Sequence, residues 1–133
     1  MSTVKAATLQ NTGSGAPAFQ NSSGTEIGQL CKAWVNFNGE GTIAIRGSFN
    51  VSSLTDNGTG FYTVSYTNAM SDANYCFNAY GHIDNYSGSG IYAISTAASS
   101  VTTGGLSFRC YNHIPNNLTL RDTLYNCVSI FED

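Results

Sequence analysis

Residues 31–66 constrain the fold more than any other part of the sequence. Their apolar and polar residues alternate, as in a strand, where successive side chains point to opposite faces of a sheet. Asn38-Gly39, Gly47-Ser48 and Asp56-Asn57-Gly58 interrupt the alternation at short intervals. Asn and Gly adopt the positive backbone dihedrals that tight hairpins require. The segment therefore predicts a compact antiparallel meander.

The remainder of the chain continues the strand pattern. No window of about eleven residues places apolar side chains at the spacing of an amphipathic helix. Further strands are predicted over residues 75–81, 91–97, 106–111, 118–121 and 124–131, with turns or loops at 98–105 and 112–117. About eight short strands at regular spacing predict an all-β fold, an antiparallel β-sandwich of jelly-roll type.

Two of these strands differ in how their apolar residues are distributed over the two faces. In the strand 106–111, Leu106, Phe108 and Cys110 fall on one face, which predicts that this face is buried. The last strand, 124–131, is apolar on both faces. Such a strand lies in the centre of a sheet or at a subunit interface.

The first thirty residues differ in composition from the rest. Residues 1–30 are rich in Gly, Ser, Asn and Thr and hold few apolar residues. They predict an extended N-terminal arm, and residues 31–133 predict the folded domain. Such an arm usually lies on a neighbouring subunit or on a larger assembly, and we expect a homotrimer.

Charge is sparse along the whole sequence. Charged residues form only 10% of the chain, against about a quarter in an average domain. The five lysines and arginines are scattered, so no nucleic-acid surface is expected. No apolar run approaches the roughly 20 residues of a membrane span, so no membrane insertion is expected. The opening residues lack the apolar core of a signal peptide, so synthesis in a cytosol is expected.

Groups that could carry catalysis are few, and we expect no enzyme. His82, Asp84 and Ser87 are too close in sequence to converge as a triad. Asp56 and Asp72, like Asp84, stand beside turn residues, where Asp commonly bonds the local backbone. His82 and Asp84 with His113 are the one conceivable metal set, and the interpretation of two exposed loop histidines is preferred. No metal and no cofactor are expected.

Tyrosines supply the candidate binding surface. Tyr and His residues cluster around the loops HIDNYSGSG and NHIPNN, whose Asn, Ser and Gly are typical of adaptable binding surfaces. The alternative is that tyrosine fills strand edges and subunit contacts as a good strand former. The candidate binding residues are Tyr80, His82, Tyr86, Tyr92 and His113.

The four cysteines form no CxxC motif. Two disulfides are arithmetically possible, but a cytosolic chain favours reduced thiols. Cys76, Cys110 and Cys127 each stand in an apolar strand pattern, so these three thiols are predicted to be buried.

Several long motifs carry a resemblance to a known family. They are AWVNFNGEGT at 33–42, Ile45-Arg46, NVSSLTDNGTGFYTV at 50–64 and MSDANY at 70–75, together with the opening MSTVKAATLQN. The chain resembles a module common in structural proteins of tailed bacteriophages, notably tail fibre or receptor-binding proteins of marine and cyanobacterial phages. This resemblance implies a homotrimeric virion protein that is assembled in the host cytoplasm.

The resemblance also implies an arrangement along the chain. Residues 1–30 would attach to other virion proteins, and the tyrosine-rich loops would face the host and bind its surface glycan. A chain of 133 residues is short for a fibre with a long shaft. A capsid decoration protein that stabilises the head is therefore the alternative.

Overall fold

The computed structural model describes residues 6, 8, 10, 19–82, 93–114 and 117–132. Within these ranges the chain is all-β, with eleven strands in three antiparallel sheets and no helix. The described residues thus include no helix of the length and apolarity that crossing a membrane requires. The chain divides into two units, Met1–Leu30 and Cys31–Asp133, which are described in turn.

The first unit contains a short hairpin. Strand β1 (Phe19–Gln20) pairs with β2 (Glu26–Gly28). The side chain of Asn21 fixes the turn, because its Oδ1 accepts hydrogen bonds from Ser23 N (2.9 Å) and Thr25 N (3.0 Å). Within the segment predicted as an arm, residues 19–28 thus fold back on themselves as a hairpin.

The second unit contains a four-stranded sheet. Its strands are β3 (Cys31–Asn38), β4 (Ala44–Phe49), β7 (Cys76–His82) and β11 (Tyr125–Phe131). Their order is β4-β3-β11-β7. The last strand lies between β3 and β7, which confirms the central position expected for a strand that is apolar on both faces.

The second unit also contains a five-stranded sheet. Its strands are β5 (Val51–Asp56), β6 (Phe61–Tyr66), β8 (Ala93–Thr102), β9 (Gly105–Ile114) and β10 (Asn117–Leu120). Strand β8 pairs along the length of β9, which also pairs with β6 near its start and with β10 near its end. Strand β5 pairs with β6.

Two predicted loops belong to strands of this sheet. Residues 98–102 continue β8, and residues 112–114 continue β9. Their small and polar side chains indicated loops, but their backbone groups find partners across the sheet, including Val101 opposite Leu106 and Asn112 opposite Ile94. Cross-strand pairing here overrides a composition that favours turns.

Residues 31–66 do not form one meander. They form two hairpins, β3–β4 and β5–β6, which belong to different sheets. The change of sheet occurs at Asn50, whose φ of 55° lies in the left-handed region that Asn tolerates. Its Nδ2 donates to Lys32 O (3.0 Å), and its Oδ1 accepts from Asn68 N (2.7 Å). The predicted turn at Gly47 is wrong, because Gly47 lies within β4.

The two sheets of the second unit share one buried core. Strands β3 and β11 contribute from the four-stranded sheet, and β6 and β9 contribute from the five-stranded sheet. Phe37, Tyr62 and Phe108 lie at its centre, with ring centroids 5.1–6.3 Å apart. Leu106, Phe108 and Cys110 are all buried, as the alternation in this strand predicted. Burial of a side chain such as Leu106 or Phe108 stabilises the fold by about 1.5–3 kcal/mol relative to leaving it exposed.

Candidate functional site

The face of the four-stranded sheet that points away from the core exposes large aromatic side chains. This outer face follows from alternation: Val128 and Ile130 of β11 are buried, whereas Tyr125 and Phe131 are exposed. The exposed aromatic residues described on it are Trp34, Phe49, Tyr80, Tyr125 and Phe131. Exposed apolar patches with polar neighbours mark interaction sites.

Two rows of cross-strand neighbours form a groove along β11. Residues that pair across antiparallel strands share a face. In each row β11 supplies a small residue, Cys127 or Ser129, whereas β3 and β7 supply larger ones, so β11 forms the floor. The rows are Asn36–Cys127–Tyr80 and Trp34–Ser129–Asn78. We call these six residues the Trp34–Tyr80 groove.

The groove has the size of a small-ligand site. Its volume is about 370 Å³, within the roughly 300–1,000 Å³ that such sites occupy. The two aromatic residues stand diagonally across it, on strands about 10 Å apart. Trp34 is 42% exposed and Tyr80 is 54% exposed. The Trp34 ring lies against Gly47, where a Cβ would meet it at 3.3 Å.

Amide groups occupy the other two corners of the groove. Asn36 Nδ2 donates to Cys127 Sγ (3.1 Å), which orients the Asn36 side chain over the floor. Asn78 is exposed on β7. An amide side chain offers both donors and an acceptor, so it can bond a hydroxyl group in either direction.

One end of the groove carries positive charge. Arg46 Cζ lies 4.5 Å from the centroid of the Tyr125 ring, and Arg46 Nη1 lies 3.5 Å from Asn36 Oδ1. Tyr125 pairs with His82, and the two rings are 6.2 Å apart. Lys32 and Glu132 form the one ion pair among the described residues, at 3.8 Å. Within that part of the chain, Arg46 has no carboxylate partner.

A second cavity, of about 560 Å³, lies beside Asp122 in the same unit. Asp122 Oδ1 accepts hydrogen bonds from Gly60 N (2.7 Å) and Tyr62 Oη (3.0 Å), so this carboxylate links the segment between β10 and β11 to the beginning of β6. Burial, aided by the charge of Asp122, raises the pKa of Tyr62. Asn112 also lines the cavity, and its buried Oδ1 has no hydrogen-bond partner in the described structure.

Two other buried polar residues near this cavity, Thr123 and Asn126, satisfy each other. Asn126 Oδ1 accepts from Thr123 Oγ1 (2.5 Å), and Asn126 Nδ2 donates to Thr123 O (2.7 Å). Among the described residues, no three or more His, Cys, Asp or Glu side chains converge as a metal site. The polar network here supports the fold, and the groove is the stronger candidate for binding.

Of the predicted binding residues, the structure places Tyr80 and His82 on one sheet and His113 on the other. Tyr80 forms a wall of the groove, and His82 follows it on the same face of β7. His113 belongs to β9 in the other sheet, and its side chain lies outside the described residues. Tyr86 and Tyr92 also lie outside the described residues. The prediction that both histidines sit in loops is wrong, because both belong to paired strands that continue past the apolar segments.

The aspartates beside turns act as predicted where they are described. Asp56 Oδ1 accepts from Gly58 N (2.8 Å), and Asp72 Oδ1 accepts from Asn74 N (2.6 Å). Asp84 and Ser87 lie outside the described residues.

The prediction for the cysteines is only partly right. Cys110 is buried, and this burial raises the pKa of its thiol to about 11. Cys76 and Cys127 are exposed, because they stand on the outer face of the four-stranded sheet. All four cysteines are free thiols in the structure. The two exposed thiols are therefore accessible to alkylating reagents. Cys127 lies inside the groove, and Cys76 lies outside it.

Sequence reasoning missed Trp34, Asn36 and Asn78. The alternation in β3 contained the signal, since Trp34 and Asn36 fall opposite the buried Val35 and Phe37. The same alternation in β7 places Asn78 beside Tyr80. Comparison with known proteins found no matching family model, no matching curated protein and no matching solved structure.

Proposed function

We propose that this chain is a structural protein of a tailed-phage virion, a short tail fibre or receptor-binding protein that attaches the particle to the host surface. The sequence motifs at 33–42, 50–64 and 70–75 support the virion assignment through their resemblance. The Trp34–Tyr80 groove is the observation that carries the binding role. This role is adhesive and not catalytic, and the location is the virion, assembled in the host cytoplasm.

The ligand that suits the groove is a glycan. Sugar rings present apolar faces that pack on aromatic rings, and their hydroxyl groups need both donors and acceptors. Trp34 and Tyr80 supply the rings, and Asn36 and Asn78 supply the amides. A concave surface of aromatic side chains with a few placed polar groups is typical of small-ligand sites.

The proposal includes the quaternary and domain arrangement. We infer that the two sheets of the second unit form a β-sandwich of jelly-roll type, since both contribute to one core. We infer a homotrimer, supported by the resemblance and by exposed aromatic residues beyond the groove, such as Phe49 and Phe131. Residues 1–30 attach to other virion proteins. Light scattering after size exclusion should give a trimer, and a monomer at micromolar concentration would contradict this inference.

Labelled virions test the location. Gold-labelled antibody against the chain should mark the tail of the phage particle that contains it. Label spread over the head would instead identify a capsid decoration protein and contradict the receptor-binding role.

Competition for host cells tests the adhesive function. The purified chain should block adsorption of the phage, and Tyr80→Ala should lose this effect. Leu118→Ala is the matched control, because Leu118 is 53% exposed against 54% for Tyr80 and lies on the other sheet. Equal blocking by the two variants would contradict a receptor site in the groove.

A further inference from the structure

We propose that the Trp34–Tyr80 groove selects a saccharide that carries a carboxylate, and that the guanidinium of Arg46 binds this acid group. The inference rests on the proposed function, because it names the class of glycan that the same groove takes. It adds a specificity-determining residue that lies beside the groove rather than in its lining.

Arg46 is held at one end of the groove by two contacts. Its guanidinium lies over the Tyr125 ring at 4.5 Å, a distance at which a cation is attracted to the ring. Its Nη1 lies 3.5 Å from the Oδ1 of Asn36, which lines the groove. The charge is therefore separated from the bound ligand by a single amide side chain.

The guanidinium keeps most of its donors free for a ligand. An arginine has five N–H donors, and the described structure uses one of them in a long contact to Asn36. A planar guanidinium matches a carboxylate with two parallel hydrogen bonds. Because the one ion pair in the described chain joins Lys32 to Glu132, no described protein carboxylate competes for Arg46.

The register places this charge within reach of a bound sugar. Tyr125 and Cys127 are two residues apart on β11, so Tyr125, over whose ring the Arg46 guanidinium lies, is about 7 Å along the strand from the row that holds Tyr80. A sugar that packs on Tyr80 can direct its acid group along β11 toward Arg46. Its hydroxyl groups then meet the amides of Asn36 and Asn78.

Arg109 offers a matched control on the other sheet. Its Cζ lies 4.2 Å from the centroid of the Phe61 ring, and its Nη1 donates to Ser99 Oγ at 2.5 Å. Arg46 and Arg109 are thus both stacked on an aromatic ring, but only Arg46 adjoins the groove. Arg46→Gln and Arg109→Gln remove the same charge from the two sites.

The test is an array of uronic-acid and sialic-acid oligosaccharides, each paired with its own carboxyl methyl ester. We expect the acid of a pair to bind about tenfold or more tightly than its ester, as a hydrogen bond to a charged group allows. Arg46→Gln should remove this difference, and Arg109→Gln should keep it. Trp34→Ala should abolish retention of both members while the chain stays folded and in its wild-type oligomeric state.

Five results would overturn the proposal, at different levels. Equal affinity for acid and ester, or unchanged selectivity in Arg46→Gln, would refute the role of Arg46 and leave glycan binding in place. Retention that survives Trp34→Ala would refute the groove as the site. An array that retains neither the acids nor the esters would refute this class of glycan as the ligand and leave the adsorption test of the proposed function standing, and a Trp34→Ala variant that is monomeric where the wild type is a trimer would refute the groove as a ligand site.

Discussion

Replacement of Gly60 by alanine tests a close backbone contact in the five-stranded sheet. The contact joins Gly60, just before β6, to Cys110 of β9 and to Arg121, just after β10. Gly60 has a φ of +62°, and its carbonyl accepts a hydrogen bond from Cys110 N (2.8 Å). A Cβ here would lie 2.6 Å from Arg121 N and 2.8 Å from Cys110 O. Since Arg121 N donates to Cys110 O (3.0 Å), the new methyl group would push apart two bonded backbone groups.

The expected loss of stability in Gly60→Ala has two parts. The same substitution at a second glycine, Gly41, measures one of these parts alone. An L-residue in the left-handed region costs about 1–2 kcal/mol, and the loss of two backbone hydrogen bonds at Gly60 adds about 1–3 kcal/mol. Gly41 has nearly the same φ, +64°, but no described atom lies within 4 Å of a Cβ built there. Gly41→Ala should therefore cost only the conformational part.

Urea unfolding measures both variants against the wild type. Trp34 is the one tryptophan of the chain, so its fluorescence reports on the domain, and circular dichroism provides a second probe. Protein concentration must be held constant because an oligomer has a concentration-dependent stability. We expect Gly60→Ala to lose about 1–3 kcal/mol more than Gly41→Ala. Equal losses would refute the close backbone contact at Gly60.

Three further predictions concern buried polar groups. Tyr62→Phe removes the hydroxyl that donates to Asp122 Oδ1. This change should lower the free energy of unfolding by about 1–3 kcal/mol in the same urea assay. An unchanged urea midpoint would argue against this bond. Burial raises the pKa of Cys110 to about 11 and also raises that of Tyr62, so the folded state keeps protons that the unfolded state releases. Stability should therefore be complete below about pH 9, fall above it by about 1.4 kcal/mol per pH unit through Cys110, and fall by a further ~1.4 kcal/mol per pH unit above about pH 10 through Tyr62. Cys110→Ala should reduce this slope between about pH 9 and 11, and a wild-type stability that stays constant over that range would contradict the assignment. Asn126→Ala removes a buried amide that bonds the hydroxyl and the carbonyl of Thr123, and it should cost about 2–4 kcal/mol. The exposed Asn78→Ala should stay within about 0.5 kcal/mol of wild type, and similar losses would contradict the burial of Asn126.

Local alternation predicted the parts of the fold in which one face of a strand meets the core. Leu106, Phe108 and Cys110 were assigned to a buried face from their spacing, and all three are buried. The period of two is a property of the strand itself, so it can be read from a short sequence. The two apolar faces of β11 predicted either a central place in a sheet or a subunit interface, and β11 lies in the centre of its sheet.

Turn residues misled where a glycine or asparagine serves another purpose. Gly47 indicated a turn, but it gives room to the Trp34 ring within β4. Asn50 instead changes the direction of the chain, and bonds to Lys32 and Asn68 hold it in place. Both partners of Asn50 lie 18 positions away in the sequence. A residue type that tolerates a turn therefore forms a turn only where such distant partners favour it.

The candidate site was predicted only in part, because it depends on pairing between distant strands. Tyr80 was selected from the tyrosine-rich surroundings of its loop. Its partners across the groove lie on β3 and β11, and the contact between Asn36 and Cys127 joins residues 91 positions apart. Single-strand patterns indicate which face Trp34 occupies, but not which strands stand next to it.

Alkylation of the two exposed thiols tests the central claim, that a glycan occupies the Trp34–Tyr80 groove. Cys127 forms the floor of the groove, and Cys76 lies on the neighbouring strand outside it. Iodoacetamide labelling, followed by mass spectrometry of the two peptides, gives both rates in one sample. With an oligosaccharide retained on the array at ten times its dissociation constant, the Cys127 rate should fall roughly tenfold and the Cys76 rate should not change. Unchanged rates at both thiols while the oligosaccharide is bound would contradict the claim.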